Sequence, residues 1–244
     1  MDLIRRLFAG ATAGPDYPPD DRDLEDVRFF GLQLPLRASV AIAATTALIV
    51  VDQVGWLAPI SFGFPDTSSP TLDASSVRRF ALFLVVPLAI VVLAFRDRPS
   101  RYGLGLGDWR WGAGLLIAGL VVMLPIILWL SSFDQFRSYY DGSGGPAGML
   151  VLDHLVELVP AEFLLRGFLM FALWRRIGPL ALVVQLIPFV LTHVGKPEIE
   201  LWSTFIGGSV FAWLNWRTGS ILWSALGHVY VLTLMELAVR GNPA

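Results

Sequence analysis

One apolar stretch of this sequence holds five ionisable residues: Asp153, His154, Glu157, Glu162 and Arg166. A charge at the centre of a membrane-crossing helix costs about 2.5–3.5 kcal/mol even on a lenient scale, so such groups are few and usually functional. Glu162 and Arg166 are four apart, share a helical face and can pair. Two more histidines, His193 and His228, fall inside later apolar stretches. A histidine both accepts and donates protons near neutral pH. A carboxylate steadied by a guanidinium suits general-base work. Glu162, Arg166, His193 and His228 therefore form a set able to activate water for hydrolysis. The plainer reading stays open beside it: an ion pair that locks one helix, and histidines that hydrogen-bond between helices.

The elements that carry these residues are legible from hydropathy. The chain has 244 residues, of which 55% are apolar and 16% charged; soluble domains carry roughly 25% charged residues. The apolar residues come in runs of the ~20 needed to cross ~30 Å of hydrocarbon. The expected fold is all-α, a polytopic transmembrane helix bundle of about seven spans. They lie near 37–58, 79–95, 111–132, 148–174, 179–195, 199–216 and 219–239. The chemistry-bearing residues fall on spans four, five and seven. Strand-sized alternation is not visible, which argues against a membrane β-barrel. Residues 1–33 are polar and read as a cytoplasmic or interfacial segment, and 34–244 as one transmembrane domain. Pro125, Pro160 and Pro188 lie inside spans and predict kinks. Trp109, Trp111, Trp129, Trp202, Trp213, Trp216 and Trp223 fall mostly near span ends, as interface anchors do.

The net charge of −2 gives no sign of a nucleic-acid partner, and the lack of cysteine excludes thiol catalysis and disulfides. Arg5 and Arg6 are followed by Gly, Ala, Pro and Asp rather than the apolar core of a cleavable signal peptide. Arg96, Arg98, Arg101, Arg110, Arg175, Arg176 and Arg217 fall on the same side as the N-terminus in a seven-span topology; Arg78 and Arg79 are the exception. This pattern places the N-terminus in the cytoplasm and the C-terminus outside. His193 is then expected towards the outer leaflet.

Three segments carry a family resemblance. Glu162-Phe163-Leu164-Leu165-Arg166-Gly167 resembles the E-E-x-x-x-R motif of the CAAX-processing and bacteriocin-processing (CPBP) membrane endopeptidases. Phe189-Val190-Leu191-Thr192-His193 is similar to their F-x-x-x-H motif, and His228 begins the place of H-x-x-x-N. Order and spacing agree over roughly residues 95–240, with Tyr102 to Arg110 similar to the usual lead-in. The resemblance implies an intramembrane glutamic-type endopeptidase in a bacterial inner or cell membrane. It would cut a membrane-associated protein or peptide substrate, with no cofactor. Two positions depart from the family: Ala161 replaces the first glutamate and Leu232 replaces the asparagine. The single-glutamate form followed by R-G-F-L, with His193-Val194-Gly195-Lys196-Pro197, resembles a branch linked to bacterial C-terminal protein sorting.

On this reading Glu162 and His193 hold the attacking water, with Glu162 as base. His228 donates to the oxyanion, and Arg166 keeps Glu162 ionised and in place. Three carboxylates are supporting candidates. Glu157 lies one turn before Ala161 on the same face, where it can approach the vacated position. Glu200 is placed to orient His193, and Glu236 to orient His228. Alternatives come from other classes. Two histidines and a glutamate suit zinc, although no H-E-x-x-H is present. Asp108 in a G-x-G-D pattern and Asp141 after Tyr140 mimic an aspartyl membrane protease, but their loops fall on opposite sides. Gly142-Ser143-Gly144-Gly145 reads as a connection rather than a serine nucleophile. The departures at Ala161 and Leu232 also fit a catalytically degenerate membrane immunity or scaffold protein.

Overall fold

The structure, a computed structural model, describes residues 17–55, 72–141 and 146–241. The Pro65–Pro70 connection and Gly142–Gly145 lie outside the described residues. A short 3-10 turn, Asp21–Leu24, opens the described chain. It is followed by an antiparallel hairpin, β1 Asp26–Phe29 and β2 Leu32–Pro35. The hairpin lies at the end of the segment read as cytoplasmic or interfacial; four residues a side is too short a run to register as alternation. At its turn, Phe30 has φ 46° and Gly31 φ 83°. Positive φ at both central residues is the geometry that matches strand twist in tight hairpins. Glycine adopts it freely, whereas an L side chain there costs about 1–2 kcal/mol.

The remainder is helical, as the apolar runs require. The helices are α1 Leu36–Gln53, α2 Ala74–Ala94, α3 Trp109–Leu130, α4 Asp134–Tyr140, α5 over 147–177, α6 Leu180–Leu191, α7 Glu198–Thr218 and α8 Leu222–Gly241. The seven expected spans coincide with α1, α2, α3, α5, α6, α7 and α8. By length and apolarity alone, α1, α2, α3 and α8 suffice to cross a membrane. Ile117, Val121, Val122, Leu124 and Leu128 of α3 are all exposed. A soluble monomer rarely shows so large an apolar face, and the chain is an integral membrane protein. Trp109, Trp129 and Trp202 are exposed near helix ends, as anchors are, but Trp216 is buried and packs on Trp174 at 5.3 Å.

Three helices depart from regularity where prolines fall, and in α2 Pro87 stands between two π-helical stretches, Ala81–Val85 and Ile90–Ala94. In α6 the helix breaks at Gln185, between Leu180–Val184 and Leu186–Leu191. Pro188 has no N–H to give the Val184 carbonyl, and its ring crowds that group. Twelve residues rise only about 18 Å, so α6 is shorter than the expected span over 179–195. In α5, Ala147–Glu162 contains Pro160 and passes into a π-helical stretch, Phe163–Leu169, before Met170–Ile177. Such wider turns inside α-helices are frequent at functional sites. Glu162 has fifteen residues of α5 on either side, which puts it about 22 Å from each end.

The basic residues grouped by the sequence gather at one end of the bundle. Arg37 pairs with Asp23 at 2.7 Å and Asp97 at 2.9 Å, and Arg101 meets Asp20, Asp23 and Asp97, each at 2.7 Å. Arg176 joins Asp26 at 2.8 Å. The lead-in loop is stitched to the α7–α8 connection there: the Asp108 N–H donates to the Thr218 carbonyl at 2.8 Å, and the Ile221 N–H to the Gly103 carbonyl at 3.1 Å. Asp108 itself caps α3 and pairs with Arg217 at 3.5 Å, so the aspartyl-protease pattern is helix-end chemistry. Asp141 ends α4.

Candidate active site

The site is assembled from the middle of α5, the turn after α6 and the first half of α8. Glu162 and Arg166 are completely buried. Arg166 donates through Nη1 to Glu162 Oε1. His228 Nδ1 lies 2.9 Å from the same oxygen, and the Ser224 hydroxyl donates to Oε2 at 2.8 Å. A carboxylate offers about four lone-pair directions, and three of these are occupied. An ionised carboxylate only accepts, so Nδ1 of His228 carries a proton and donates it. Arg166 also lies over aromatic rings, 4.0 Å from the Phe189 centroid and 5.6 Å from that of Phe211. The rings' negative faces offset the desolvation of the guanidinium.

His193 stands just beyond the end of α6 rather than inside a span. Its Nδ1 is 2.8 Å from the Phe189 carbonyl, a group that can only accept. That bond fixes the tautomer and leaves Nε2 as an acceptor. The His193 and His228 rings are nearly parallel, 6.4 Å apart between centroids and 17° between planes. They also flank Phe189, whose ring is 4.6 Å from His193 and 6.0 Å from His228. The phenylalanine of F-x-x-x-H thus supports both histidines and the arginine.

These groups line one cavity of about 110 Å³, with Glu157, Ala161, Glu162, Arg166, His193 and His228 among its walls. One water needs only ~10–15 Å³ measured in this way, so several fit. Ala161 and Leu232, the two departures from the family pattern, are both on the wall. Where the family places a carboxylate and an amide, this cavity is apolar. The cavity continues towards Asp52, Gln53, Arg79 and Lys196, away from the end that gathers Arg37, Arg101 and Arg176.

The supporting candidates divide. Glu157 lines the cavity but is engaged by Arg79 of α2, which also binds Asp52 of α1 at 2.9 Å. Glu200 does not orient His193. It accepts from Lys196 at 2.8 Å and from the Tyr140 hydroxyl at 2.7 Å, because the turn carries it outward to the start of α7. Glu236 does hold a histidine, but the wrong one: His154 Nε2 at 3.2 Å, with Thr233 at 2.8 Å from Nδ1. It lies two turns from His228 and faces α5 higher up. His154 is buried in this contact. Among the described residues, no group of three or more His, Asp and Glu side chains is placed to hold a metal ion.

Sequence reasoning missed Ser224, Asp52 and Arg79. Ser224 precedes His228 by four residues and so shares its face, a signal present in the sequence. Asp52 and Arg79 come from segments remote from every motif; Arg79 registered only as a breach of the charge rule. Gly167, beside Arg166, has a packing reason. A Cβ there would stand 2.8 Å from the Tyr102 carbonyl and 2.6 Å from the Phe163 ring.

Fold and site together define a polytopic helical membrane protein with a buried glutamate–arginine–histidine centre opening onto a cavity large enough for several waters. Residues 143–233 match the family model described as type II CAAX prenyl endopeptidase Rce1-like. That stretch holds the motifs around Glu162, His193 and His228, so over it the chain is similar to this family of CAAX-type membrane proteases. No curated protein and no solved structure matches the chain.

Proposed function

We propose that this chain is an intramembrane endopeptidase that hydrolyses a peptide bond in a membrane-associated protein. The observation that carries the proposal is convergence: Glu162, His228 and His193, from three separate elements, line one buried cavity. Water in the cavity lies within reach of His193 Nε2, which takes its proton as the oxygen attacks the peptide carbonyl. The carbonyl π electrons move to oxygen, and the oxyanion is met by His228, whose Nε2 carries the second proton of an imidazolium. Glu162 stabilises that cation through Nδ1, as a buried acidic partner stabilises imidazolium in serine proteases. Collapse of the intermediate breaks the C–N bond, and His193 returns its proton to the leaving amine. The base role expected of Glu162 moves to His193 because three donors already occupy the carboxylate. Arg166 and Ser224 hold Glu162 and do not touch substrate. Glu157, one turn from Ala161, and Asp52 are the further carboxylates of the cavity and set its potential from the Arg79 side. No step uses a metal or organic cofactor.

With the basic end of the bundle in the cytoplasm, the cavity opens to the opposite side, and cutting takes place nearer that face. The test is cleavage by purified protein in liposomes, using a farnesylated C-terminal peptide and a transmembrane reporter peptide as separate substrates. Glu162→Gln and His193→Ala are each expected to lower the rate about 10²–10⁴-fold with unchanged membrane insertion. Full activity in either variant refutes the assignment. Loss on metal chelation, restored by zinc, would favour a metallopeptidase instead.

A second reading follows from Ala161 and Leu232: a degenerate family member acting as a membrane immunity or scaffold protein. It predicts no cleavage of either substrate by wild-type protein, and phenotypes that survive Glu162→Gln.

A further inference from the structure

The β1–β2 hairpin is amphipathic in a way the bundle does not use. Directly opposed residues share a face of the ribbon, and successive residues alternate. The register Val27↔Leu34 and Phe29↔Leu32 therefore makes one wholly apolar face. Arg28↔Gln33 and Asp26↔Pro35 make the other. The polar face is tied to the protein: Asp26 accepts from Arg176 at the end of α5 at 2.8 Å. Towards the tip the apolar face is uncovered among the described residues, while Leu34 at its base is partly buried. Phe29 is 58% exposed, Leu32 65% and Phe30, at the tip, 91%. Phe30 also occupies a left-handed conformation at φ 46°, where asparagine or glycine would sit without strain. A bulky ring is thus held at a conformational cost, against the neighbouring Phe29 ring and otherwise exposed among the described residues.

We infer that this hairpin is an interfacial membrane anchor, with its apolar face and Phe30 tip inserted at the headgroup–acyl boundary. Continuity fixes the occupant. β2 ends at Pro35 and the spanning helix α1 begins at Leu36, so the hairpin stands where the chain enters the bilayer. The Leu36 N–H donates to the Glu25 carbonyl at 2.9 Å, which pins the base of the hairpin to that helix. With its polar face held by Arg176, the other face is presented to the lipid that surrounds α1. Aromatic side chains favour this depth, and Arg28 on the polar face is placed among headgroups.

Because the chain contains no cysteine, single-cysteine spin labels test this in the full-length protein in lipid nanodiscs. Nitroxides at Phe30→Cys, Leu32→Cys, Arg28→Cys and Gln33→Cys would be probed by collision with oxygen, which partitions into lipid, and with a nickel chelate, which stays in water. Labels at 30 and 32 are expected to be several-fold more accessible to oxygen than to nickel, with the order reversed at 28 and 33. Nickel-dominated collisions at both 30 and 32 would overturn the anchor, placing the tip in water. Shielding of both positions from both reagents would also overturn it, and would mark cover by protein, either the N-terminal residues or a second copy.

Discussion

At the residue scale, a single carboxylate organises the site. Glu162 collects Arg166, His228 and Ser224, and each donor contributes differently. Ser224 supplies one hydroxyl bond to a charged acceptor, an interaction of about 1.5–3 kcal/mol. Ser224→Ala is expected to slow cleavage about tenfold, while His228→Ala, which removes the proposed oxyanion donor, is expected to cost about 10²–10³-fold. Single-turnover rates in liposomes would separate the two; equal losses would argue that Ser224 does more than hold Glu162. The opposite change is informative at the apolar wall. Leu232→Asn puts an amide donor one helical turn from His228 and is expected to raise the rate several-fold, read by the same assay.

At the element scale, the helices are fastened by polar staples in an apolar setting. His154 of α5 reaches Thr233 and Glu236 of α8. His154→Ala removes both contacts and is expected to cost about 1–3 kcal/mol, read as a lower unfolding midpoint in detergent, with cleavage retained by the folded fraction. Gly167→Ala acts elsewhere: its methyl meets the Tyr102 carbonyl, and backbone yields less readily than a side chain. A cost of about 1–3 kcal/mol and a fall in activity should appear together, because Arg166 is the adjacent residue. Of the three prolines expected to kink helices, Pro160 and Pro188 fall in irregular helices, whereas Pro125 lies inside the unbroken α3. Pro188 shortens α6 so that His193 sits on a turn, and Pro160 precedes a π-helical stretch, because neighbouring packing decides how a missing hydrogen bond is absorbed.

At the scale of the whole molecule, one end is closed by a buried charge network outside the membrane. Burial alone would raise the Asp23 carboxyl. The Asp20 N–H, the Arg101 hydrogen bond and the Arg175 and Arg101 charges outweigh it and hold the pKa below 3.8. A depressed folded pKa gives stability that is present above the unfolded value and lost as pH falls through the folded one. Asp23→Asn is therefore expected to destabilise by about 1–3 kcal/mol at neutral pH, with the difference from wild type shrinking below pH ~4. Thermal unfolding of both proteins across this range checks the sign. A difference that stays constant to low pH would show that the loss is one of packing.

Composition and spacing alone disclose a helical membrane protein and single out its candidate site residues. Long apolar runs admit only membrane helices, and ionisable groups are so costly among them that Glu162, Arg166, His193 and His228 stand out unaided. The same pattern left the partnerships of the carboxylates undecided. Glu200 and Glu236 were placed by sequence distance from a histidine, but helix rotation and the turn after α6 send them to Lys196 and His154. Asp52 and Arg79 entered the cavity from helices that carry no motif. Tertiary structure decided these matters because which face of a helix meets which neighbour depends on packing between distant segments. Local spacing describes only the order of residues around a single axis.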